Sequence, residues 1–148
     1  MKYDKYQLES DKKILIFEFT SIGQKGRIKK IVQYSETILK DYFNLGFGDK
    51  DEKTSEINDL IITNNGDSQQ VLAIVASTVY AFTDRHPDAW IYVRGSNNAR
   101  TRLYRIGITN NLLEIKKDFE VFGLKDDQWH TFRKGMDYKA FLIKRKIS

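Results

Sequence analysis

The residues best suited to chemistry lie in one segment, residues 94–105, which holds four arginines, a glycine and several side chains that can cap a helix. Guanidinium groups are planar, permanently charged and able to bind phosphate oxygens in pairs. Gly95 allows the backbone to approach a ligand closely. A helix that begins at Ser96 or Asn97 directs its free N–H groups, and the positive end of its dipole, toward the same place. The segment therefore predicts an anion site.

The predicted contacts of this site come from the segment itself, and a supporting surface combines Arg94 with two lysines from a second basic region. The anion or phosphate contacts are Ser96, Arg100, Arg102 and Arg105, and the supporting basic surface is Arg94, Lys29 and Lys30. Arginines in the first turns of a helix work against its dipole unless negative charge compensates them. That charge can be a ligand or the protein's own carboxylates, and both explanations stay open. Arg94 and Arg105 fit internal ion pairs better than the other two arginines.

Other chemistry has less support in the sequence. The segment lacks the lysine and hydroxyl residue of a Walker loop and the glycine spacing of a dinucleotide site. Asp49, Asp51 and Glu52 lack the spacing of a calcium loop and are typical of a solvated turn. There are no cysteines, and the two histidines, His86 and His130, are far apart in the chain. We predict no metal, no cofactor and no catalytic residue.

Three classes of function remain open. The first is a nucleic-acid-binding or regulatory module in which the arginines, the supporting lysines and a basic C-terminal strand hold phosphates. The second is an enzyme on a phosphorylated or nucleic-acid substrate, such as a small nuclease or toxin, with His130 or Tyr104 in proton transfer. The third is a protein-interaction partner in a two-gene module, since basic and acidic residues are segregated along the chain. The absence of a nucleophile–base pair favours the first class over the second.

Several tyrosines stand beside basic residues and could stack bases on a sheet, although most aromatic residues of a small domain belong to its core. They are Tyr3, Tyr6, Tyr34, Tyr104 and Tyr138.

The hydrophobic pattern predicts the elements that hold the arginine segment. Strands are expected at residues 14–19, 27–35, 42–47, 56–63 and 89–93, and two or three more among residues 119–122, 129–132 and 138–144. One helix follows a capping box at Asp67 and Gln70 and ends at Pro87, and a second runs from Ser96 or Asn97 to about Asn110. The order β-β-β-β-α-β-α-β-β predicts an α+β fold, with a mostly antiparallel sheet and two helices on one face.

Length and composition set the wider limits. The 148 residues, with a net charge of +5, suit one domain over residues 1–148. The lack of cysteines, of a signal-peptide pattern and of a long apolar run predicts a cytoplasmic protein without a membrane segment. The expected partners are nucleic acid or an acidic protein, and the oligomeric state stays open.

Two stretches resemble a family of small bacterial proteins of unknown function that covers essentially the whole chain. One is the hairpin from Phe17 to Lys30, and the other is residues 95–105, where the family pattern reads Gly-Ser-Thr-x-Ala-Arg-Thr-Arg-Leu-Tyr-Arg. Asn97 replaces the threonine of that pattern and can still cap a helix. The resemblance implies one module and no particular activity. Four antiparallel strands followed by a helix are also similar in order to the PC4-like and whirly single-strand binders, which is an analogy of fold alone.

Overall fold

The computed structural model describes residues 7–10, 14–51, 57–58 and 68–146. Within these residues, nine strands form one sheet, accompanied by three helices. The strands are β1 (Gln7–Ser10), β2 (Ile14–Gly23), β3 (Gly26–Glu36), β4 (Tyr42–Lys50), β5 (Ile57–Asn58), β6 (Trp90–Val93), β7 (Phe119–Lys125), β8 (Gln128–Thr131) and β9 (Phe141–Arg145). The helices are α1 (Ser68–Arg85), α2 (Asn98–Asn110) and α3 (Leu112–Asp118).

The sheet consists of two antiparallel parts joined at β6. Its strand order is β1-β2-β3-β4-β6-β9-β7-β8, with β5 paired to β4 off this path. Strands β4 and β6 run parallel, which requires the chain to cross over through α1, and the other pairs are antiparallel. The predicted α+β class and its mostly antiparallel sheet are confirmed.

The structure adds two elements to the predicted order. Strand β1 has the sequence QLES, which lacks the β-branched residues that mark strands. Helix α3 follows α2 after a break at Asn111, whose backbone N–H lies 3.2 Å from the carbonyl oxygens of both Gly107 and Ile108. Of the predicted strand at 56–63, only β5 falls within the described residues, and Asp67 of the predicted capping box lies outside them.

The described helices pack against one face of the sheet. The ring of Tyr34 on β3 stacks on Phe82 of α1 at 4.2 Å, and its hydroxyl lies 2.8 Å from Oγ1 of Thr78. On the same face, but farther along the strand order, Tyr80 of α1 forms an edge-to-face contact with Phe119 on β7, with ring centroids 4.9 Å apart. We call the opposite face, which no described helix covers, the open face. None of the described helices is both long enough and apolar enough to cross a membrane.

The aromatic residues divide between the two faces differently from the prediction. Tyr34, Tyr104 and Tyr138 are 1%, 6% and 7% exposed, so these three belong to the core and cannot stack bases. Tyr3 and Tyr6 lie outside the described residues. Strand alternation instead places other rings on the open face: Tyr42, Trp90, Tyr92, Phe122 and Trp129.

A polar cluster ties α1 to the strands near its C-terminus. The hydroxyl of Tyr80 donates to Oδ2 of Asp118 at 2.7 Å. Arg145 of β9 lies over the ring of Tyr80 at 5.4 Å and donates to the carboxylate of Asp84 at 2.8 Å. Burial is the main cause that raises the pKa of Tyr80 to about 12, followed by its hydrogen bond to Asp118.

Replacing Tyr80 with Phe should reduce the loss of stability at alkaline pH. An unfolded tyrosine loses its proton near pH 10, whereas folded Tyr80 keeps its proton up to about pH 12. The contribution of Tyr80 to the free energy of unfolding is therefore fully present below about pH 10 and is lost as the pH rises toward about 12.

Urea unfolding across this pH range measures the effect. Tyr42→Phe is the matched control, because Tyr42 has no hydrogen bond to a carboxylate among the described residues. An equal alkaline loss in wild type and Tyr80→Phe would contradict the prediction.

Candidate anion-binding site

The junction between β6 and α2 is fixed by three hydrogen bonds. The side-chain Oδ1 of Asn97 accepts from the backbone N–H of Arg100 at 2.9 Å, so Asn97 is the N-cap. The hydroxyl of Thr101 donates to the backbone oxygen of Asn97 and accepts from the backbone N–H of Gly95, both at 3.1 Å. A Cβ atom on Gly95 would lie 2.5 Å from Cβ of Arg100. Glycine is needed here because the backbone passes so close to the first turn.

Helix α2 directs Arg100 and Arg102 to different sides. Two residues along an α-helix are about 200° apart around its axis. Arg100 shares the inner side with the buried residues Tyr104 and Ile108 and is 9% exposed, whereas Arg102 is exposed. Nη2 of Arg100 is buried and has no hydrogen-bond partner among the described residues. The structure therefore does not bring these two arginines to one surface.

Arg102 lines an open cleft beside α2, which we call the α2 cleft. Its volume is about 440 Å³. The lining residues come from α2, from the end of β7 with the turn that follows it, and from the segment before β9: Asn98, Thr101, Arg102, Arg105, Leu124, Lys125, Asp126, Asp137, Tyr138 and Lys139.

Positive charge exceeds negative charge in the α2 cleft. Its lining has four cations, against the carboxylates of Asp126 and Asp137. Arg105 forms an ion pair with Asp137, whose side chain is 96% exposed, so water screens this pair strongly. Arg102, Lys125 and Lys139 have no ion-pair partner among the described residues. These three cations give the cleft its free positive charge.

The supporting residues are spread over the molecule. Arg94 is exposed at the end of β6, and Ser96 is exposed just before the N-cap. Lys29 is exposed on β3, but Lys30 beside it is 1% exposed and bonds to Asp49 at 2.5 Å. Lys30 points into the core side of the sheet between apolar residues, so it is not part of an exposed basic surface.

Sequence reasoning missed Lys125, which reaches the α2 cleft because a tight hairpin ends β7 there. Asp126 and Asp127 form its two-residue turn with φ angles of 52° and 60°, the left-handed values that such hairpins require. Two adjacent aspartates between two strands were the available signal. Lys139 falls within the predicted C-terminal strand at residues 138–144, but its approach to α2 depends on the 2.9 Å hydrogen bond from its backbone N–H to the backbone oxygen of Leu124.

The residues proposed for proton transfer do not form a catalytic group with these cations. His130 is exposed on β8, and its Nε2 lies 3.2 Å from the backbone oxygen of Lys125. Tyr104 is buried among apolar side chains of α1 and the sheet. No group of three or more metal-binding side chains that could hold an ion occurs within the described ranges.

Replacing Gly95 with Ala should lower the free energy of unfolding by about 2 kcal/mol, because the added methyl group meets backbone atoms that cannot move aside. Gly107→Ala is the matched control. There the nearest atoms belong to the flexible side chain of Leu72, at 3.1 Å, and alanine also favours the helix. Urea unfolding of both variants tests the prediction, and equal stabilities would contradict it.

Comparison with known proteins gives a family and no activity. A family model for DUF6934, described as a family of unknown function, matches residues 2–146. No curated protein and no solved structure matches the chain. Because the match spans nearly the whole sequence, the chain belongs to DUF6934, a family of unknown function.

Proposed function

We propose that the protein is a nucleic-acid-binding module and that the α2 cleft holds phosphates of the nucleic-acid backbone. The observation that carries the proposal is the set of three cations, Arg102, Lys125 and Lys139, which line one open cleft without a carboxylate partner among the described residues. Unpaired cations around an open cleft attract anions, and the planar guanidinium fork of arginine binds phosphate oxygens in pairs.

The first turn of α2 adds a second attraction for an anion. Asn98 and Thr101 of this turn line the cleft. The positive end of the helix dipole lies at the same turn, which contains no acidic residue. Arg102 follows directly after this turn, so an anion held in the cleft would meet both the positive end of the helix dipole and the guanidinium group of Arg102.

The register of the sheet favours a polyanion over a single phosphate. Val93 of β6 and Gly123 of β7 both pair with Phe141 of β9. The C-terminal ends of β6 and β7 and the N-terminal end of β9 therefore lie at the same end of the sheet. Arg94 follows Val93, Lys125 lies two residues after Gly123, and Lys139 lies two residues before Phe141. We call Arg94, Lys125 and Lys139 the cation row. Charges spread over several strands suit a chain of phosphates.

The ion pair of Arg105 does not oppose this function. Its partner Asp137 is almost fully exposed, and such pairs contribute only about 0.2–1 kcal/mol. A phosphate that enters the α2 cleft could therefore compete with Asp137 for the guanidinium group of Arg105.

Arg102→Ala should weaken the binding of nucleic acid and lower its dependence on salt, with the slope of log K against log [salt] falling by about 1. The control is Arg85→Ala, which removes the same charge from an exposed position at the C-terminus of α1. Fluorescence anisotropy over a salt series measures both. A wild type that binds neither single-stranded nor duplex nucleic acid at low salt would refute the proposed function.

A substitution that removes negative charge from the α2 cleft distinguishes an effect of charge on binding from an effect of damage to the fold. Asp126→Asn removes one of its two carboxylates, and asparagine tolerates the left-handed backbone that Asp126 adopts. Affinity for nucleic acid should rise in this variant, by roughly 2- to 5-fold at low salt. Unchanged or weaker binding by the folded variant would show that phosphates do not enter the α2 cleft.

A further inference from the structure

The open face carries a cluster of aromatic rings from β4, β6, β7 and β8, and the cluster spans five neighbouring strands because β9 lies between β6 and β7. Trp90 stacks on Tyr42 at 5.8 Å and lies 6.1 Å from Phe122, and Tyr92 meets the edge of Trp129 at 6.1 Å. We call these five residues the aromatic face. The ring of Trp129 is the most accessible, because this residue is 41% exposed.

The rings reach across the sheet to one another and form a continuous surface. Tyr92 on β6 and Trp129 on β8 are separated by β9 and β7 in the strand order. Leu142 of β9 lies between them, in register with Tyr92 on one side and Phe122 on the other. It is only 7% exposed, although none of the described helices covers this face. Tyr92 and Phe122 flank Leu142 on the two neighbouring strands, so the aromatic cluster is continuous across β9.

The aromatic face adjoins the α2 cleft at the end of the sheet where β7 ends. Trp129 pairs in register with Leu124, and Leu124 itself lines the cleft next to Lys125. Consecutive residues of a strand point to opposite faces, so Lys125 lies on the helix side of the sheet and Trp129 on its open face. A single strand whose phosphates occupy the α2 cleft therefore brings its bases to the exposed indole ring by passing around this end of the sheet.

Lysines lie near two acidic residues of the open face. Glu18 forms an ion pair with Lys50 at 2.5 Å, and Glu120 lies opposite Lys144 in the register of β7 and β9. Lys50 therefore neutralises Glu18, whereas the Nζ atom of Lys144 donates to the backbone oxygen of Pro87 at 3.1 Å and Glu120 is exposed. An acidic protein partner would find cations at the edge but a largely apolar centre, whereas single-stranded nucleic acid combines phosphates with flat aromatic bases.

We infer that the aromatic face is a stacking platform for single-stranded nucleic acid, with Trp129 and Tyr92 holding the bases nearest to the α2 cleft. This inference rests on the proposed function, because the cleft supplies the phosphate contacts. Base stacking on aromatic side chains tolerates any sequence and requires bases that are not already stacked in a duplex. Single strands are therefore bound more tightly than duplexes of equal length.

Intrinsic fluorescence tests the inference directly, because both tryptophans of the chain, Trp90 and Trp129, belong to the aromatic face. The probe is an oligothymidylate of about 15 nucleotides, compared with a duplex of the same length. In the variant Trp90→Phe, where Trp129 is the sole tryptophan, the single strand should quench the emission and the duplex should not.

Affinity measurements on Trp129→Ala complete the test. We expect about 10-fold weaker binding of the single strand with unchanged binding of the duplex, and partial recovery in Trp129→Phe, which keeps a ring. The pair Lys125→Ala and Lys139→Ala should instead weaken both ligands.

The outcomes separate the inference from the proposed function. Equal affinity of wild type for single strand and duplex, with no quenching and no effect of Trp129→Ala, would overturn the stacking platform and leave the α2 cleft intact. Absence of all binding by wild type would overturn both. A dimer that forms with rising concentration and is abolished by Trp129→Ala would assign the aromatic face to a second copy of the chain and overturn the inference.

Discussion

The burial of the helices against one face of the sheet is the constraint on which the other features depend. It fixes which side of every strand becomes core, and it fixes the rotation of α2 about its own axis. Arg100 is turned inward with Tyr104, and Arg102 is turned out toward the α2 cleft. The same one-sided packing leaves Trp90 and Tyr92 on the open face. The packing of the helices on one face therefore determines which arginines are exposed and which aromatic rings lie on the open face.

Local patterns in the sequence were sufficient for the fold class. Alternating apolar residues predicted most strands, and the cap at Asn97 was one of two candidates at the start of the second helix. The short helix α3 and strand β1 were missed, because each carries too few apolar residues to show a period. The strand predicted at 56–63 coincides with β5 only at Ile57–Asn58 of the described residues.

Partners distant in the chain could not be predicted. Lys30 shares one face of β3 with Val32 and Tyr34, and its carboxylate partner, Asp49, lies on another strand. Lys125 likewise reaches the α2 cleft only because β7 and its turn lie next to α2. Such contacts depend on the order of the strands in the sheet, which cannot be predicted from the local pattern of a single sequence. The exposed site is thus less predictable than the core.

The net charge of +5 does not say where positive charge is available to a partner. Lys30, Arg105 and Arg145 are each paired with an aspartate, so their charges serve contacts within the protein. The arginine segment of residues 94–105 is similarly divided between core, surface pair and open cleft. The positive charge that remains available to a partner is concentrated where β6 and β7 end and β9 begins.

Strand β6 has a consequence for the way the chain reaches its native state. Among the described strands, this four-residue segment joins the meander β1–β4 to the group β7–β9. Each of those parts contains hairpins that can close locally and quickly, whereas the parallel pairing of β4 with β6 must wait for the crossover through α1. During synthesis, the edge of β4 therefore has no partner from β6 until Val93 has been made. The interval in which that edge could pair with another chain is set by the length of the crossover.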